Sequence, residues 1–257
     1  MTVIVFSKDR PLQLDAFLRS YKTHVSPRMH VRILYTASDA RYEHAYFEVF
    51  ARHLGFITAF RQGVFKVDLL EMLPPSGVVV FFVDDQLFIR PWDAIELPGL
   101  SLRLAPHLTH CYNYGDALQP LPAFTSINGY LSWSWGCGSY SWNYPLSVDG
   151  HLYYLEELRP MIEALDFTSP NTLEAGLQVY VPRFLGRAGF CYPQSRVVNV
   201  PWNTVQSNWQ NRQSTEGYTA EVLLQRWEVG YQIALSAFEG VENRSEHQEF
   251  PLLLEQR

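Results

Sequence analysis

Residues 76–93 read SGVVVFFVDDQLFIRPWD, and the rest of the chain is best read outward from them. Six apolar residues, Val78 to Val83, run without a break into Asp84 and Asp85. A short unbroken apolar run closed by turn-forming residues is the pattern of a strand buried on both faces. Ending it in two carboxylates is costly, because like charges repel and a desolvated carboxylate without a partner loses several kcal/mol. A positive group must therefore stand against the pair. The simplest candidate is a divalent cation, Mg²⁺ or Mn²⁺, both of which take oxygen ligands.

Strand and helix signals alternate through the residues that precede this stretch. Thr2 to Ser7 is a β-branched run that predicts a first strand. Leu14, Phe17, Leu18 and Tyr21 then recur at i, i+3, i+4 and i+7, one stripe of an amphipathic helix. Val31 to Thr36 predicts a second strand, residues 41–53 a second helix, Phe56 to Phe60 a weaker strand, and Val67 to Met72 a short helix stopped by Pro74 and Pro75. Such alternation predicts an α/β fold of βαβ units around a mostly parallel sheet with right-handed crossovers. Ligands of open parallel sheets bind at the carboxyl ends of the strands. That rule places Ser7 to Arg10, Ser38 with Asp39, and Asp84 with Asp85 along one rim.

Beyond Asp93 the pattern changes. SLRLAPHLTHCYNY, residues 101–114, carries a possible strand. In YLSWSWGCGSYSWNYP, residues 130–145, the alternation of Leu131, Trp133 and Trp135, then Tyr140, Trp142 and Tyr144, predicts a hairpin turning at Gly136 and Gly138. Ser169 and Pro170 read as the N-cap and first position of a helix, Val197 to Val200 as a late strand, and Thr219 to Phe238 as one amphipathic helix. After Gly240 the chain turns polar, and we expect it to be loosely held apart from FPLLLEQR. No internal repeat or Gly/Ser-rich linker divides the 257 residues, so we expect a single domain.

Composition narrows the function classes. Apolar residues make up 47% and charged ones 18%, which predicts a packed core. A formal charge of −6 argues against a nucleic-acid binder, which would show a basic face. Three scattered cysteines, Cys111, Cys137 and Cys191, suit a reducing compartment. No basic region precedes the opening apolar run, and no run reaches the ~20 residues that span a bilayer. We therefore expect a cytoplasmic protein with neither leader nor transmembrane segment.

An apolar strand running into DD or DxD resembles the metal and nucleotide motif of GT-A glycosyltransferases. VIVFSKDRPLQLDAFLRSY at residues 3–21 is similar to that fold's first strand, nucleotide loop and first helix. YPLSVDGHLY, SPNTLEAGL and VVNVPWNTVQ resemble segments of bacterial glycosyltransferase-like proteins. The resemblance implies a nucleotide-diphosphate-sugar donor, a saccharide acceptor and a divalent cation, Mn²⁺ or Mg²⁺. It implies a nucleotide-binding half over residues 1–100, an acceptor-binding half over 101–240 and a polar tail over 241–257. By the same resemblance Phe6, Ser7 and Arg10 line the nucleotide, with Arg10 a phosphate contact. Asp39 touches uracil or ribose, Asp84 the ribose or donor sugar, and Asp85 the metal. Many relatives place a third acid where this chain has Gln86.

Each candidate also has a purely structural role available. The acids after the strand could form a solvated turn, Asp9 could cap a helix starting near Pro11, and Asp39 could cap the helix of SDARYE. For a general base the candidates are Glu174, which we prefer, and Asp149, which we read as a sugar contact. Their alternatives are a favourable helix-dipole position and a tight turn before Gly150. His151 could complete a metal site or serve as a hydrogen-bonded structural residue. Trp133, Trp135 and Trp142 offer flat rings for the apolar face of an acceptor sugar, or packing against the sheet. Asn199, Asn203, Asn208 and Asn211 could bond sugar hydroxyls or cap loop backbone. Two other functions fit the sequence: a nucleotidyltransferase, although no GxxxxGK[ST] loop is present, and a non-catalytic carbohydrate or nucleotide-sugar binder.

Overall fold

The computed structural model describes residues 1–205, 212, 214 and 217–257. The first half is a run of βαβ units: β1 (Thr2–Lys8), α1 (Pro11–His24), β2 (Val31–Thr36), α2 (Ala40–Arg52), β3 (Ile57–Arg61), α3 (Phe65–Met72) and β4 (Val78–Val83). β5 (Gln86–Phe88), β6 (Leu100–Ser101), β7 (His110–Cys111), β8 (Ala117–Leu118), β9 (Thr125–Ile127), β10 (Tyr130–Ser134) and β11 (Leu152–Tyr154) follow. The chain then forms α4 (Leu155–Ala164), α5 (Pro170–Leu177), β12 (Ala188–Cys191), β13 (Val197–Asn199), α6 (Ala220–Glu228), β14 (Tyr231–Ile233) and β15 (Leu254–Gln256).

The main sheet has the order β11-β4-β1-β2-β3, parallel throughout except for β11, which runs antiparallel to β4. From β1 the chain steps outward through β2 to β3, then returns to pair β4 with the other side of β1. That reversal is the topological switch of an open α/β sheet, and it opens a crevice at the carboxyl ends of β1 and β4. The loop of Lys8 to Arg10 and the pair Asp84–Asp85 stand there by construction.

Strand periodicity sorts the core into two layers. Val3 and Val5 of β1 and Val80 and Phe82 of β4 pack with Leu14, Phe17 and Tyr21 of α1. Ile4, Phe6, Val79 and Phe81 face the opposite layer, with Leu69 of α3, Leu158 and Ile162 of α4 and Leu173 of α5. Both faces of β1 and β4 are thus covered, which is why their sequences are continuous rather than alternating. Each such side chain contributes about 1.5–3 kcal/mol of burial. Among the described residues no helix is long and apolar enough to cross a membrane.

The second half departs from the sequence expectation in three places. The Trp-rich stretch is not a hairpin. β10 pairs with β9 and with β12 in a second sheet of order β6-β12-β10-β9, and the chain after Ser134 coils into 3₁₀ turns at Trp135–Cys137 and Tyr140–Asn143. A Cβ at Gly138 would collide with the Trp142 carbonyl, so the stretch folds onto itself. The C-terminal helix ends at Glu228; Gly230 adopts φ +87° and the chain turns into β14, which pairs with β15. The tail is not loose either. Asn243, Ser245 and Glu246 are buried, and residues 244–248 are held by backbone bonds to His110 and Asn199.

Candidate active site

The charge needed beside Asp84 and Asp85 is supplied by Arg10. Its guanidinium Nη1 lies 2.9 Å from Asp84 Oδ1 and 3.1 Å from Asp85 Oδ2, and its other terminal nitrogen donates to the Asn203 carbonyl. Arg10 is the N-cap position of α1, without a side-chain cap bond. The second Asp84 oxygen accepts from Ser7 Oγ at 2.8 Å and from the Lys8 backbone N–H at 3.3 Å. Asp84 is buried, which pushes its carboxyl up to about 6 against the opposing pull of Arg10, with Asp85 adding to the rise.

Gln86 is fully buried and structural. Its Oε1 accepts from the Val83 N–H and its Nε2 donates to Asn199 Oδ1 at 3.1 Å. Asn199 Nδ2 in turn faces Asp85 Oδ1 at 3.5 Å. β13 pairs antiparallel with β5, which is what carries Asn199 opposite Gln86.

A second charged group meets the first from the opposite side of the crevice. Because β11 runs antiparallel along β4 and the Gly150 N–H bonds the Phe81 carbonyl at 2.7 Å, Asp149 arrives beside the end of β4. Gly150 takes φ +71°, the left-handed turn that lets the chain enter β11. Asp149 Oδ2 lies 3.3 Å from Arg103 and 3.7 Å from His247 Nε2. Burial pushes the Asp149 carboxyl up to about 6; Arg103 opposes the rise, and Glu174 and Asp85 add to it.

Glu174 projects from α5, whose start is fixed by a Ser169–Thr172 capping box. Burial raises its carboxyl too, while Arg103, the Tyr144 hydroxyl, the Val148 N–H and the Ser147 hydroxyl draw it back down. Glu246 is almost fully buried and accepts from Ser141 Oγ. The His247 ring stacks on Tyr112 at 6.4 Å between centroids. Arg10, Asp84, Asp85, Asp149 and Glu174, all read from the sequence, therefore belong to one electrostatically linked cluster at the carboxyl ends of β1 and β4. Arg103, Glu246 and His247 belong to it as well and were not read there.

The remaining candidates fall elsewhere. Phe6 is a core residue, stacked on Phe81 at 5.6 Å and tilted against Phe65 at 5.3 Å, so its side chain lines no ligand site. Asp39 caps α2, accepting from the Arg41 and Tyr42 N–H groups at 2.8 and 3.1 Å. Asp9 does not cap α1; its carboxylate accepts from the Ser38 N–H and hydroxyl, tying the loop after β1 to the loop after β2. His151 places Nδ1 3.3 Å from the Pro145 carbonyl, and burial together with Arg103 lowers it to about 3, a neutral ring beside a cation. Trp133, Trp135 and Trp142 are 3%, 2% and 0% exposed and pack with Leu104 and Cys191, which leaves no ring face for a sugar. The Asn203 backbone carbonyl accepts from the Arg10 guanidinium, while Asn208 and Asn211 lie outside the described residues.

A resident divalent cation does not fit these residues. Both oxygens of Asp84 are occupied, Gln86 is locked, and among the described residues no three His, Cys, Asp or Glu side chains are grouped to hold a metal. Asp85 alone keeps a weakly held oxygen.

The raised carboxyls have a measurable consequence. The folded chain binds protons on Asp84 and Asp149 at pH values where the unfolded chain has released them, so stability falls as pH rises from about 4 to about 6. Urea unfolding across that interval is expected to show this decline, and Asp84→Asn to flatten it. An equal slope in that variant would remove Asp84 from the account.

No family profile matches this chain, and no curated protein is similar to it.

Proposed function

We propose that this chain is a glycosyltransferase of GT-A type, moving a sugar from a nucleotide-diphosphate donor to a saccharide acceptor in the cytoplasm. The observation that carries the reading is the convergence of Asp84, Asp85 and Arg10 at the switch between β1 and β4 with Asp149 and Glu174 opposite them. A crevice at that point of an open α/β sheet suits a nucleotide, and a carboxylate facing it suits a base. Three unpaired cysteines are in keeping with a reducing compartment.

In this reading the acceptor hydroxyl oxygen attacks the anomeric carbon, and the bond from that carbon to the diphosphate oxygen breaks. The nucleoside diphosphate leaves with the electron pair, and the hydroxyl proton passes to the base. Asp149 serves better than Glu174, reversing the sequence preference. Its contacts to Arg103 and His247 both use Oδ2, which leaves Oδ1 outside them, and its value of about 6 leaves it ionised and basic near neutrality. Glu174 is held by three donors.

The test is thermal unfolding with a panel of nucleoside diphosphates and nucleotide sugars, each with and without Mn²⁺. A ligand at a hundred times its Kd stabilises by about 2.7 kcal/mol, which at this chain length raises Tm by about 5–10 °C. A shift with one nucleoside diphosphate is the expected result. No shift with any nucleotide would overturn the reading and favour a non-catalytic carbohydrate binder, the alternative that the internally neutralised acid pair supports.

A further inference from the structure

An acid pair at the end of a buried strand invites a metal, yet the coordination space here is taken by protein. One guanidinium nitrogen, Nη1 of Arg10, stands within hydrogen-bond distance of an oxygen from each carboxylate, 2.9 Å from Asp84 and 3.1 Å from Asp85. Mg²⁺ requires near-ideal octahedral geometry with oxygens at about 2.0–2.1 Å, so a cation bridging the same two carboxylates would be driven against that nitrogen. Arginine cannot relieve the clash by losing its proton, because the guanidinium stays charged at any pH a protein survives. Nor can it easily swing away: Arg10 is 8% exposed, and its second terminal nitrogen is bonded to the Asn203 carbonyl. The far oxygen of Asp84 is closed by Ser7 and Lys8.

We infer that Arg10 is the permanent counter-ion of the Asp84–Asp85 pair, standing where a divalent cation would otherwise bind, so that the protein carries no resident metal there. The inference concerns the acid pair alone and holds whether or not the donor is a nucleotide sugar. It also redirects attention to Lys8 as the group that meets an incoming anion. Lys8 ends β1 exposed on the same rim, and among the described residues its ammonium enters no ion pair.

The experiment is a Mn²⁺ titration of the ligand-free protein, read by loss of the free-ion electron paramagnetic resonance signal. It uses wild type, Arg10→Gln, and Arg10→Gln combined with Asp85→Asn. Wild type is expected to show no saturable site, whereas Arg10→Gln gains one at least about tenfold tighter than any residual wild-type binding, a change of about 1.4 kcal/mol, and the double variant loses it. A single saturable wild-type site abolished by Asp85→Asn would overturn the inference, and this arm needs no Arg10 variant to fold. If neither wild type nor a folded Arg10→Gln binds Mn²⁺, the claim that Arg10 takes the cation's place is overturned. If Arg10→Gln does not fold, Asp84→Asn replaces it: with Arg10 retained, this variant is expected to bind no more Mn²⁺ than wild type, and a gained site would overturn the inference. Nucleotide binding is measured separately by thermal shift, so failure of the transferase reading leaves this result intact.

Discussion

Asp149→Asn is expected to lower sugar transfer by about 10²–10⁴-fold, the usual contribution of a positioned general base, while donor affinity stays near that of wild type. The amide keeps the shape of the carboxylate and can still face Arg103, so the loss would report proton transfer rather than collapse of the crevice. The acid limb of the wild-type rate profile is expected near pH 6, where Asp149 titrates, and is absent from the residual activity of the variant. Glu174→Gln provides the contrast. Its carboxylate is engaged by Tyr144, Val148 and Ser147, so the change loosens α5 and costs rate without removing that limb. Steady-state rates and pH profiles of both variants decide the matter. An unchanged profile in Asp149→Asn together with a lost limb in Glu174→Gln would reassign the base.

The largest effect on stability is expected far from the crevice. Asp15 on α1 is fully buried, with Arg19 Nε at 2.8 Å, Arg52 at 3.0 Å and the His53 ring at 3.0 Å. Asp15→Ala removes the buried carboxylate that Arg19, Arg52 and the buried His53 share, a loss of about 3–5 kcal/mol although Arg19 keeps Glu255. Burial pushes the Asp15 carboxyl up, but the His53 hydrogen bond and the two arginines bring it below its ordinary value. A depressed carboxyl stabilises the fold above its unfolded value, near 4, and that contribution disappears as pH falls through the folded value. The gap between wild type and Asp15→Ala in urea unfolding is therefore expected to be full at neutral pH and to close in acid. A gap that does not change with pH would mean that packing, not charge, is what the variant removes.

How legible these features were follows from the range of the contacts involved. β1 to β4 and α1 to α3 could be read because each buries its own repeating face, and Ser169 with Pro170 marked α5 through local capping chemistry. Alternation failed in the Trp-rich stretch: period two predicts one buried face but not the partner, which proved to be β12 rather than the next residues of the chain. At the C-terminal helix, Tyr231, Ala234 and Phe238 continued the helical spacing past Gly230, and the positive φ there outweighed them. Asp84 and Asp85 stood out because a buried strand ending in two acids demands a counter-charge, whereas Arg10 was singled out as a phosphate contact through the resemblance. A metal and an arginine satisfy that demand equally, and in the fold Arg10 is the group that stands against both acids. Glu246 and His247 lie in a polar segment with no period at all, and their partners Ser141 and Asp149 are about a hundred residues away in sequence.

That distance gives the crevice an order of assembly. Ribosomes release the N-terminal part of a chain first, and contacts that are remote in sequence close last. The parallel core of β1 to β4 can therefore form, and Arg10 can meet its two acids, while the segment carrying Glu246 and His247 is still being synthesised. Asp149 lacks His247 until that segment emerges and lies down along β13. Completion of the charged cluster thus waits for Glu246 and His247, and a chain interrupted before residue 246 would hold the sheet and the acid pair without them.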